Sequence, residues 1–169
     1  MSTETPASYY ASLPAKRMAT GILIRSQTGK VLVVKTTYKD HWEVVGGVVD
    51  RDESPKAACR RETREELGLD IPPGRLLNVD YSPRASDKTE VLHFLYDGGI
   101  MEEAQLGSIL LQASELAEYR FADRNEAITL LGPRVGRRVA AALDVLADGA
   151  DTYTEEGGRS SAETGHSAH

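Results

Sequence analysis

The chain has 169 residues, 40% of them hydrophobic and 27% charged, with 26 acidic against 20 basic side chains and a formal net charge of −6. Its length suits one domain with its own core. The acidic balance argues against stable nucleic-acid binding, which needs a basic surface that releases counterions, but it permits a small anion whose charge a bound cation offsets. The single cysteine, Cys59, excludes an internal disulfide, no apolar run approaches the ~20 residues that span a membrane, and the first ten residues lack the pattern of a secretory leader, so a cytoplasmic protein is expected.

Residues 1–15 are small and polar and read as a flexible arm. Met18–Arg25 is predicted to be a strand, Ser26–Lys30 a turn, and Val31–Thr36 the returning strand of a hairpin. Trp42–Val45 is a short apolar segment closed by Gly46 and Gly47. A helix is predicted over Pro55–Leu67, with Ser54 as its N-cap, Pro55 at its first position and Gly68 just past its end. Leu76–Tyr81 and Val91–Tyr96 read as strands joined by a polar loop containing Pro83, Arg84 and Asp87. Ser108–Leu111 and Tyr119–Ala122 are candidate short strands. A short helix over Asn125–Leu131 is broken by Gly132 and Pro133, and Val135–Leu146 has strong helical periodicity. Residues 149–169, rich in Gly, Ser, Thr, Asp and Glu, read as a disordered polar tail, which leaves residues 16–148 as the folded domain. Strands interleaved with a few helices imply an α/β fold with a mixed sheet.

Glu62, Glu65 and Glu66 are spaced three and four apart, so they share one face of the predicted helix. Three crowded carboxylates repel one another, and a hard divalent cation relieves that repulsion. All-oxygen ligands suit Mg²⁺, or Mn²⁺ in its place, and no Cys or His cluster competes. Read without its surroundings, the same face is a solvated acidic stripe with Arg60, Arg61 and Arg64 as partners. Gly46 and Gly47 let the backbone approach a ligand closely. Arg61 is placed to hold one carboxylate by a bidentate pair, with Glu53 as the acceptor.

Gly47, Glu53, Arg61, Glu62, Glu65, Glu66, Gly68 and Leu69 together match the 23-residue signature of the Nudix hydrolase superfamily. Seven fixed identities at these spacings arise by chance roughly once in 10⁸ start positions. Thr63 stands where an aliphatic residue is usual, and Val45 where many relatives have Pro. The resemblance implies a three-layer α/β/α sandwich and a hydrolase that cleaves a diphosphate linkage using bound Mg²⁺. It implies Glu62, Glu66 and Glu65 as metal ligands, with the Gly46 carbonyl beside them, and Glu65 or Glu66 as general base. Arg61 and Glu53 then fix the ligand geometry, while Gly47 and Gly68 shape the loop and the helix end. The implied partner is a small nucleotide-type substrate: a nucleoside triphosphate, ADP-ribose, a nucleotide sugar or a dinucleoside polyphosphate. A monomer or homodimer is expected, with no membrane contact. The alternative function is a non-catalytic nucleotide sensor on the same fold; an isomerase of isoprenoid diphosphates would need further catalytic residues.

Outside the signature, Trp42, Tyr81 and Arg84 are candidate substrate contacts, with Pro83 in the same loop, although Trp42 reads first as core or pocket wall and only second as a base-stacking platform. Glu43, Glu115 and Glu118 are candidates for an additional carboxylate. Cys59 reads as a small buried residue on the helix's inner side, and His41 and His93 as structural or exposed. Arg134, Arg137 and Arg138 read as a surface patch, with an oligomer or phosphate contact as the alternative.

Overall fold

The computed structural model describes residues 5–38, 40–86, 88–149 and 152–159. Residues 1–4 of the arm, Asp87 of the polar loop, and residues 150–151 and 160–169 of the tail lie outside them. In chain order the elements are α1 (Pro6–Ser12), β1 (Arg17–Ser26), β2 (Val31–Thr36), β3 (Trp42–Glu43), α2 (Pro55–Leu67), β4 (Leu76–Ser82), β5 (Val91–Met101), α3 (Glu103–Leu106), β6 (Leu116–Ala122), α4 (Arg124–Asp148), β7 (Tyr153–Glu155) and β8 (Gly158–Arg159). Among the described residues no helix is long and apolar enough to cross a membrane.

The sheet is mixed. Its strands run in the order β3-β2-β1-β5-β4-β7-β8, with β6 also paired to β2. β1 lies parallel to β5 and β4 parallel to β7, and the remaining neighbours are antiparallel. Side chains alternate across the sheet, as the period of a strand requires. On one face Leu23, Val31, Val33, Leu77 and Leu95 pack against Leu131, Val139, Ala142 and Val145 of α4. On the other, Ile22, Ile24, Leu32 and Val34 pack against Cys59 and Leu67 of α2. Two helices therefore sandwich the sheet, the three layers expected.

α2 occupies the residues predicted for it. The Ser54 hydroxyl accepts the Ala57 N–H at 3.2 Å, and Gly68 ends the helix at φ +68° with its N–H on the Arg64 carbonyl, a left-handed conformation that glycine adopts without strain. Thr63 is fully buried, and its hydroxyl donates to the Cys59 carbonyl at 2.7 Å, so the departure from an aliphatic residue leaves no unpaired polar atom. α4 departs from helical geometry at Gly132 (φ 73°, ψ 176°), where the sequence predicts the break.

Several expectations are corrected. Ser108–Leu111 is a loop instead of a strand. The Leu110 and Gln112 amides donate to the Leu67 and Glu66 carbonyls, so this segment satisfies carbonyls that the end of α2 leaves open. The arm carries the short helix α1, capped by Thr5, with no buried residue. The tail is not disordered throughout, because β7 and β8 form a hairpin that extends the sheet beyond β4.

Polar burial explains why this hairpin docks. Asp80 of β4 is completely buried. Its carboxylate accepts from the Thr154 hydroxyl (2.7 Å), the Gly157 amide (2.7 Å) and the Arg138 guanidinium (2.8 and 3.2 Å), and the Thr154 hydroxyl in turn accepts from the Asn78 side-chain amide at 3.1 Å. A buried charge is tolerable only when paired and fully bonded, and the hairpin supplies two of the donors. Replacing Asp80 by Asn keeps the shape and strands the buried Arg138 charge, which should cost about 3–5 kcal/mol in urea unfolding at pH 7; a loss below about 1 kcal/mol would show that the network does not anchor the sheet edge.

Candidate active site

The loop before α2 is stitched to β1. Ile22 N–H donates to Val45 O at 2.9 Å, Thr20 N–H to Gly47 O at 2.8 Å and Val49 N–H to Met18 O at 3.1 Å. Gly46 sits in this seam at φ +148°, and a Cβ there would collide with the Thr20 carbonyl. A Cβ on Gly47 would fall on the Glu62 carboxylate. Gly46 therefore requires glycine, a side chain at Gly47 would displace the Glu62 carboxylate, and the loop lies directly over the carboxylates of α2.

Glu66 is buried, 7% exposed, and its Oε2 accepts the Gly46 N–H at 2.9 Å. Among the described residues the Gly46 carbonyl accepts no hydrogen bond. Burial pushes the Glu66 carboxyl up to about 8, against the Gly46 hydrogen bond, and Glu62, Glu115 and Glu43 add repulsion. Burial also raises Glu62, opposed by Arg61. The side chain of Glu65 is 50% exposed.

Arg61 is the cation that holds these acids. Its Nε and Nη2 donate to the two oxygens of Glu53 at 3.1 and 2.9 Å, the bidentate pair expected, and Nη2 also reaches the Val48 carbonyl. Nη1 donates to Glu62 at 2.7 Å and to Glu65 at 3.2 Å. Pairing pulls Glu53 below the usual carboxylate range and raises Arg61. Arg60 and Arg64 point elsewhere, both to Asp70, whose carboxyl they draw down to about 2. Of the three arginines named as partners of a solvated acidic stripe, Arg61 is the one that pairs with these carboxylates.

The donor set fits a hard divalent cation. Every candidate ligand is an oxygen, and a buried carboxylate with repulsive neighbours is the environment that such an ion stabilises. Among the described residues no three acidic, imidazole or thiol groups converge on one point as they stand, because Arg61 Nη1 bridges Glu62 and Glu65. Of the additional carboxylates considered, Glu115 and Glu43 lie within electrostatic reach of Glu66, whereas Glu118 pairs with Arg120.

A cleft of about 510 Å³ opens in front of Gly46 and Gly47. It is lined by Glu43 and His41 near the loop and by Ser82, Pro83 and His93 further out. Three expected substrate contacts fall outside its lining. Trp42 is 8% exposed and packs in the α4-side core, with the Arg120 guanidinium 5.0 Å from its ring centre. The Tyr81 hydroxyl donates to Glu90 at 2.7 Å, and Arg84 is exposed beyond the rim. Arg138, expected at the surface, is 6% exposed and bound to Asp80. Sequence reasoning missed Asp80, although a signal was present: Asn78, Asp80 and Ser82 alternate along β4, so polar residues share one buried face of the strand. Cys59 is fully buried, and burial lifts its thiol to about 11, which makes it a core residue and a poor nucleophile.

The NUDIX domain family model matches residues 15–143, and the chain belongs to that family. It is 41% identical over 66 residues to diphosphoinositol polyphosphate phosphohydrolase 2 of Rattus norvegicus, covering 38% of this chain and 37% of that protein. It is 39% identical over 57 residues to the RNA pyrophosphohydrolase of Hydrogenovibrio crunogenus, covering 34% of each. The chain thus spans about a third of the length of these curated relatives. The crystal structure of the MutT protein from Methanosarcina mazei shares the fold at a TM-score of 0.65 and 22% identity, over 83% of this chain and all of that one.

His93 lines the cleft and is lowered to about 4, mainly by burial and then by Arg138, with Arg17 and Arg134 acting the same way and Asp80 against them. The unfolded chain binds a proton at His93 near pH 6.5, the folded chain only near 4. Stability should therefore fall as the pH drops between those values, by up to about 3 kcal/mol. Urea unfolding of the wild type and of His93→Gln from pH 7 to 4 checks this: the variant should lose less stability across the window, and equal losses would contradict it.

Proposed function

We propose that the chain is a Mg²⁺-dependent hydrolase that cleaves a diphosphate linkage in a nucleotide-type substrate, with Mn²⁺ as a working substitute. The observation that carries this reading is the buried Glu66 carboxyl, grouped with Glu62 and Glu65 on the face of α2 beneath a glycine loop that opens on a cleft. Family membership supports it, as do the names of the two curated relatives, a phosphohydrolase and a pyrophosphohydrolase.

Glu62, Glu66 and Glu65 would hold the cation, with the unbonded Gly46 carbonyl beside them. When bound, the ion neutralises charge on the diphosphate and lowers the pKa of its bound water. The remaining tasks fall to the chain. Glu53 and Val48 fix Arg61, and Arg61 positions Glu62 beside the glycine loop. Gly46 and Gly47 allow the phosphates to approach the backbone. Glu65 or Glu66 takes the proton of the attacking water, a role worth about 10²–10⁴ in rate. Glu43 and Glu115 stand close enough to supply a further carboxylate.

Glu66→Gln preserves the hydrogen bond from Gly46 and removes the charge. It should lower Mg²⁺-dependent kcat at least about 10²-fold on whichever substrate of a diphosphate panel the wild type turns over, with the melting temperature kept. Near-wild-type turnover would show that the site is misassigned. Tight binding across the panel without any turnover would favour the sensor.

A further inference from the structure

The two ends of the cleft carry opposite charge. At the glycine loop it meets Glu43, with Glu62 and Glu66 behind the loop. Its far end is walled by Arg17, Lys88, Arg134 and Arg138, four cations gathered in a chain whose net charge is −6. Internal pairing accounts for part of this. Arg138 is matched to Asp80 at 2.8 Å. Arg134 has only a loose, half-exposed contact with Glu156 at 3.7 Å. Arg17 bonds the hydroxyl and carbonyl of Thr89, and among the described residues no carboxylate lies within 4.0 Å of Arg17 or Lys88. A cleft with low-dielectric walls concentrates such a field and attracts anions.

Stacking chemistry is weak there. With Trp42 in the core, Tyr38 is the one phenol or indole ring among the described lining residues, and it is 64% exposed. A base held between two aromatic faces has no partner pair.

We infer that this basic end is an anion subsite, which takes a phosphate-bearing group that the substrate carries beyond the diphosphate being cut. The inference rests on the hydrolase reading above for its orientation, with the scissile linkage at the acidic end. The C-terminal hairpin shapes the subsite. Thr154 and Gly157 hold Asp80, Asp80 holds Arg138, and Gly157 packs against the Arg134 carbonyl so closely that a Cβ there would clash. The four cations lie within residues 15–143, which the family model matches, and the hairpin that braces two of them lies beyond that match.

The test is calorimetric titration of the full chain with inorganic tripolyphosphate and, separately, with ATP, both in EDTA. With no metal and no turnover, its outcome is independent of whether the chain hydrolyses anything. Wild-type protein should bind tripolyphosphate, with affinity falling as NaCl rises. The double variant Lys88→Gln/Arg134→Gln, both at exposed positions, should bind about tenfold more weakly. Equal affinity for the two ligands assigns the subsite to phosphate alone, and tighter ATP binding adds a nucleoside to it. Absence of tripolyphosphate binding, or equal binding by wild type and double variant, overturns the inference.

Discussion

The proposed site turns on one unfavourable placement, the Glu66 carboxyl. It is buried and near three other acids, and among the described residues a single backbone N–H is its donor. Burying an isolated carboxylate costs far more than one hydrogen bond returns. The surroundings do little to relieve it. Arg60 and Arg64, on the same helix, are both drawn away by Asp70, and Arg61 is engaged by Glu53, Glu62 and Glu65. A bound oxygen-seeking divalent cation, as proposed above, would turn this arrangement into a favourable one.

A second buried charge, Asp80, is handled in the opposite way. It is paired with Arg138 and bonded by Thr154 and Gly157, so no ligand is needed to satisfy it. The two sites divide the labour. The satisfied one fixes the sheet edge and the cationic wall of the cleft, and the unsatisfied one faces the glycine loop. Gly46 and Gly47 join them, since the same residues cover the carboxylates and line the cleft.

Helix α2 was legible in the sequence because its signals are local. Ser54, Pro55 and Gly68 mark its ends and the spacing of Glu62, Glu65 and Glu66 marks its face, so its bounds match the structure residue for residue. The hairpin strand Val31–Thr36 and the break at Gly132 were read for the same reason. What failed was long-range. Thr154 is buried by a hydrogen bond to a residue 74 positions earlier, which a composition rule that counts apolar surface misses. Ser108–Leu111 has strand-like residues, but its amides serve the end of α2. The sequence leaves Trp42 between core and pocket wall because an aromatic ring suits both places, and the packing of α4 over β3 puts it in the core.

Direct cation binding tests the account most closely. Electron paramagnetic resonance of free Mn²⁺ titrated into the full-length chain at pH 7, without substrate, should show loss of the free-ion signal as the carboxylate site fills, and added Mg²⁺ should restore it by competition. A free-ion signal that stays undiminished with protein in excess would contradict the claim that the buried carboxyl of Glu66 and its acidic neighbours form a cation site.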